Sequence, residues 1–147
     1  MGLIRNVVLL LLVSLPMEAQ NLVIYRKNYI DAVKNKALCF EMIQALKKEN
    51  KQPIYIAYLG AYQTIWANHV INPFAKLKTF NEGKKNIEKA VYESSDNIEI
   101  RILRYSVQEN APNFLNYKMH LHEDVAFIKE EKSKITDPIL LQLIYKI

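Results

Sequence analysis

The chain has 147 residues, 50% hydrophobic and 24% charged, with three glycines and five prolines. That balance excludes a disordered chain and lets one domain bury a core without staples. The formal charge of +5 comes mainly from the stretches Arg26 to Lys51 and Lys76 to Lys89, which interleave carboxylates such as Asp31, Glu41, Glu82 and Glu88; they read as solvated helix faces, and no nucleic-acid partner is expected.

Arg5, the apolar run Val7 to Leu15 and the closing Pro16-Met17-Glu18-Ala19 have the order of a secretory signal peptide. The apolar stretch is about half of the roughly 20 residues a spanning helix needs. Residues 1–19 are therefore expected to be removed, leaving residues 20–147 as a single exported domain, periplasmic or at the cell surface. A membrane partner is expected only if the N-terminal segment is retained.

From Leu22 to Lys48 apolar residues recur three and four apart, which predicts one long or two short amphipathic helices. Cys39, the single cysteine, shares a stripe with Met42, Ile43 and Leu46 and reads as a small buried hydrophobe. Pro53 suits the first turn of a helix running to about Val70. Apolar residues cover nearly every face of that helix, so it is expected to be the most buried element. Gly60, which costs about 1 kcal/mol of helix propensity, implies close approach of another helix backbone. His69 at the end of this helix reads as a structural histidine.

Asn72-Pro73 opens the next helix, whose apolar stripe is Phe74, Leu77, Phe80, Ile87 and Val91, and Ser94 to Asn97 end it. A helix from Ile98 to about Ala111 stops at Pro112. Asn113 to Met119 read as a loop with anchoring aromatics, and His122 to Glu131 as a short helix. Asp137 then caps a last helix that begins at Pro138. The fold class is all-α, with six or seven helices.

Gly83-x3-Ile87-x2-Ala90-x4-Ser95, with Asp96-Asn97 following, resembles the second helix of a tetratricopeptide hairpin over about fifteen residues. Ser95 stands where that family has proline, and no 34-residue period extends the match. The resemblance implies a stack of helical hairpins; an irregular bundle is the alternative. From Tyr58 to Tyr117 the chain is also similar to a group of uncharacterised small exported bacterial helical proteins. The likeness rests on Leu59-Gly60-Ala61, Asn72-Pro73-Phe74, Lys76-Leu77, Phe80-Asn81, Gly83-Lys84, Asn97, Glu99, Arg101, Arg104, Gln108, Asn110, Pro112, Phe114-Leu115 and Tyr117. It implies an exported helical domain and carries no activity.

Two constellations bear on function. Arg101, Arg104 and Gln108 lie three and four apart, on one helix face opposite Ile100, Leu103 and Val107. They form either a water-facing or ion-paired structural stripe, with Glu99, Glu109 and Asn81 as partners, or a binding groove. His120-Leu121-His122-Glu123-Asp124 is the local cluster of metal-type side chains, but two histidines two apart diverge on a helix, and the acidic pair has a simpler role at a helix N-terminus. No metal is expected there. Neither a GxSxG elbow, a catalytic-cysteine signature nor a glycine-rich phosphate loop occurs, and no cofactor is expected. The sequence is read as a non-catalytic binding or scaffold module whose partner is a protein or small ligand. Its alternatives are a periplasmic metal-dependent hydrolase using His120, His122 and Asp124, and a membrane-associated protein held by an uncleaved N-terminal helix.

Overall fold

The computed structural model describes residues 17–147. The expected export segment falls largely on residues 1–16, outside the described residues. Among the described residues the chain is all-helical: α1 (Met17–Asn28), α2 (Lys36–Leu46), α3 (Pro53–His69), α4 (Pro73–Glu93), α5 (Ile98–Asn110), α6 (Leu121–Glu131) and α7 (Pro138–Leu143), with short 3-10 turns at Asp31–Val33, Asn113–Leu115 and Lys132–Lys134. The expected cleavage point after Ala19 lies within α1.

Local chemistry sets most of the boundaries. The Asn35, Asn72, Asn97 and Asp137 side chains each accept from backbone N–H groups at a helix start, and proline occupies the first turn of α3, α4 and α7. The 3-10 turn Asp31–Val33 divides the Leu22–Lys48 segment into two helices. In the loop after α5, Asn116 takes the left-handed conformation at φ 49°, which asparagine tolerates better than most residues. Tyr117 is buried just beyond it, whereas Phe114 is exposed.

The α3–α4 hairpin is the centre of the bundle, and two glycines set its spacing. A Cβ at Gly60 would lie 2.5 Å from the Gly83 carbonyl oxygen, and one at Gly83 would lie 2.6 Å from that of Gly60. The backbones therefore touch where they cross, which explains the glycine in each helix. The small-bulky-small pattern Gly83, Ile87, Ala90 is buried throughout. α1 and the residue following it dock on α3 through edge-on tyrosines: Tyr29 meets Tyr58 at 6.2 Å and Tyr62 at 5.6 Å, and the Tyr62 hydroxyl donates to the Tyr25 carbonyl at 2.7 Å.

Among the described residues there are two hydrophobic cores. The larger joins α1 to α5; the smaller gathers Ile102, Tyr105, Ile128, Ile135, Leu140 and Ile144 from α5, α6, α7 and the loop before α7. Every residue of α5 from Ile100 to Gln108 is buried, because the helix lies between the two cores. α5, not α3, is thus the most enclosed element. Judging burial from apolar residues alone undervalues α5, whose arginines are buried too.

Candidate functional site

The polar stripe of α5 faces inward, onto α6. Asp124 has no exposed surface, and its two oxygens accept four hydrogen bonds. Oδ1 takes Arg101 Nε at 2.6 Å and an Arg104 terminal nitrogen at 2.8 Å; Oδ2 takes Arg104 Nε and Gln108 Nε2, both at 2.8 Å. The remaining donors are also used: Arg101 reaches the Ser95 carbonyl at 3.0 Å and Glu123 at 2.9 Å, and Arg104 reaches Glu88 at 3.1 Å. Gln108 Oε1 accepts the His120 backbone N–H at 2.9 Å, which pins the start of α6. The Tyr117 hydroxyl closes the network by donating to Glu88 at 2.7 Å.

Arg101, Arg104 and Gln108 are thus brought together, with partners other than Glu99, Glu109 and Asn81. α6 packs on this face of α5 and supplies Asp124 and Glu123, while α4 supplies Glu88. Glu99 instead receives two bonds from Arg26, at 2.9 and 2.7 Å, and the Tyr58 hydroxyl at 2.5 Å, while Arg26 also reaches Asp137 at 3.1 Å. This second network ties α1, α3 and α5 to the start of α7. Among the described residues, no buried side-chain nitrogen or oxygen lacks a hydrogen-bond partner.

The charges follow from these contacts. Burial alone would lower the Arg104 pKa, but its bonds and charge attraction to Asp124 raise it above the ordinary value. Burial alone would raise Glu123, but the Arg101 and Arg104 guanidiniums hold its carboxyl below the usual range. The Tyr58 and Tyr117 hydroxyls are pushed well up by burial and then by their carboxylate partners, Glu99 and Glu88. Burial pushes the Cys39 thiol up to about 12, and the thiol donates to the Tyr62 carbonyl at 3.5 Å.

The metal-type cluster does not converge. Asp124 is sunk among guanidiniums and does not cap α6, whose N-cap, His120, makes no side-chain cap bond. His120 lies beside Glu123 at 3.3 Å and Glu88 at 3.8 Å, and His122 is exposed. Among the described residues, no group of three or more His, Cys, Asp and Glu could hold a metal ion. His69 Nε2 lies 3.0 Å from the Ala32 carbonyl, which can only accept, so the ring carries its proton there and ties α3 to the 3-10 turn before α2.

Outward-facing apolar side chains lie on α2, at the α3–α4 junction and on the first turns of α4. Phe74 and Leu77, placed on the apolar stripe of α4, are exposed, and so are Phe40 and Ile71. Phe40 lies against the Trp66 ring at 5.6 Å, and Lys36 sits over the same ring at 5.6 Å. These rings border a cleft of about 190 Å3 between α2, α3 and α4, lined also by Gln44, Lys47, Gln63 and Glu82. The signal in sequence was the alternation of these apolar residues with lysines, Lys36 before Phe40 and Lys76 and Lys78 around Leu77. No protein-family model matches the chain, and neither a curated protein nor a solved structure matches it.

Proposed function

We propose that the chain is an exported, non-catalytic binding module that takes an apolar side chain of a partner polypeptide in the cleft between α2, α3 and α4. The observation that carries this reading is the Phe40–Trp66 pair at the cleft mouth, where a half-exposed phenylalanine lies on the chain's single tryptophan among glutamine, lysine and glutamate side chains. Aromatic anchors ringed by hydrogen-bonding groups are the usual centres of protein contact energy. The cleft is smaller than pockets that enclose a drug-sized ligand, roughly 300 Å3 and above, and is matched to one or two side chains. Arg101, Arg104 and Gln108 are positioning residues that hold α6 on α5.

A comparative pull-down from the native periplasm tests it. Wild-type protein should retain a partner that Phe40→Ser loses, with helicity by circular dichroism unchanged because Phe40 is half-exposed. Equal retention by both proteins would remove the cleft as the binding site. Export itself is read from Arg5 and the Val7 to Leu15 run, and N-terminal sequencing of the exported protein should begin at Gln20. Recovery of intact Met1 or Gly2 would overturn cleavage.

A further inference from the structure

The end of the bundle where α3 turns into α4 differs from the rest of the surface. Every residue from Ile71 to Lys78 is exposed although Pro73 onward is helical, so the first turn and a half of α4 stands clear of the bundle. Two large apolar side chains sit there nearly bare, Ile71 at 94% and Phe74 at 84% exposure, and Leu77 follows three residues on. The projecting turn keeps its shape without packing, because the Asn72 side chain accepts the Phe74 and Ala75 N–H groups at 3.0 and 3.1 Å. The His69 bond to Ala32 draws the Asp31–Val33 turn to the same end, adding half-exposed Val33 and, just beyond it, exposed Lys34 and Lys36. Residues 31–36 and 69–78 together carry Lys34, Lys36, Lys76 and Lys78 against Asp31, a formal charge of +3 with His69 neutral.

We propose that this end docks on an anionic lipid bilayer, with Ile71 and Phe74 entering the boundary between headgroups and acyl chains while the four lysines meet lipid phosphates. Shape and charge choose the occupant together. Phe74 lines a shallow, wide-open depression with Leu77, Lys78, Asn81, Glu82 and Lys85, and Ile71 stands nearly bare, an open apolar surface that suits a deformable medium able to close around it. Lys78 lines the same depression and Lys34, Lys36 and Lys76 are exposed in the same two segments, as electrostatic attraction to anionic headgroups requires. Among the described residues no helix is long and apolar enough to cross a membrane, so the contact is with the membrane surface. The proposal goes beyond the polypeptide cleft and, apart from Lys36 over the Trp66 ring, uses different residues.

The test takes the protein in the form its host accumulates and measures flotation with phosphatidylcholine vesicles, with and without about one-third phosphatidylglycerol. Wild-type protein should bind the anionic vesicles, and binding should fall by about tenfold or more on removing the anionic lipid, in Ile71→Ser with Phe74→Ser, and in Lys76→Glu with Lys78→Glu. All four side chains are exposed, so circular dichroism should not change. Phe40→Ser should bind vesicles like wild type, which separates failure of this proposal from failure of the cleft. Absence of vesicle binding, or equal binding by wild type and both double variants, overturns the proposal. So does loss of binding in Phe40→Ser, which would move the contact to the cleft. Binding of poly-glutamate through Lys76 and Lys78 without vesicle binding would also overturn it, making the occupant an acidic protein.

Discussion

Asp124 is a fully buried carboxylate whose four accepted bonds join it to two guanidiniums and an amide. Forming such a cluster has a modest net effect, because desolvation offsets the attraction; removing Asp124 leaves two buried guanidiniums with only their outer carboxylates, Glu123 and Glu88. Asp124→Ala should therefore lose about 3–5 kcal/mol of stability in urea unfolding, far more than an exposed carboxylate such as Glu130 would. A loss below about 1 kcal/mol would show that water reaches the arginines. Arg101→Ala with Arg104→Ala should also unfold the chain, since it leaves Asp124 without its countercharges. Cys39 makes a second residue-scale case. Its thiol is fully buried and held up at about 12, so thiolate is scarce near neutral pH. Labelling by a thiol reagent should proceed only as fast as the protein opens, and rapid labelling of folded protein would contradict the burial.

At the scale of elements, the crossing of α3 and α4 is the sharpest test. Alanine in place of glycine inside a helix ordinarily gains about 1 kcal/mol. At Gly60 the added Cβ meets the Gly83 backbone oxygen at 2.5 Å, so Gly60→Ala should instead destabilise, by about 1–3 kcal/mol, read as a lower melting temperature. A stabilised variant would mean that the helices are further apart than described. The caps and the glycine contact were legible in sequence because their causes are local: Asn72 before Pro73, Asp137 before Pro138, a helical glycine that needs a reason. The α5 stripe was legible as a stripe from its three-and-four spacing. Its partner was not, because Asp124 lies 16 to 23 residues downstream and a local reading assigns it to the start of α6. Phe74 and Leu77 were misplaced for a related reason: periodicity identifies a helix face, and only tertiary packing decides how far along the helix that face is covered.

Across the whole molecule, buried tyrosines make stability sensitive to alkali. Tyr25, Tyr29, Tyr58, Tyr62 and Tyr117 all have raised pKa values, with burial the leading cause and Tyr29 at about 12. The unfolded chain sheds these protons from about pH 10 upward, while the folded chain retains them. The contribution is thus fully present below about pH 10 and is lost as pH rises through the folded values, because there the unfolded state binds fewer protons. The melting temperature should fall steeply above about pH 10, with tyrosinate absorbance appearing together with loss of helicity. Tyrosinate forming well before unfolding would show that the rings are reached by solvent while folded.

The place of α5 between two cores also orders events in time. α3 and α4 are joined by only Val70 to Asn72, so their glycine crossing is available as soon as both have been made. The arginines of α5 must wait for Asp124, and a chain emerging N-terminus first presents them when Glu88 of α4, a partner of Arg104, is the only carboxylate of the network yet made. Until α6 arrives they stay hydrated, and this face of α5 resists premature collapse against the wrong surface. The arrival of one aspartate turns a water-soluble face into an interior one, before α7 completes the smaller core.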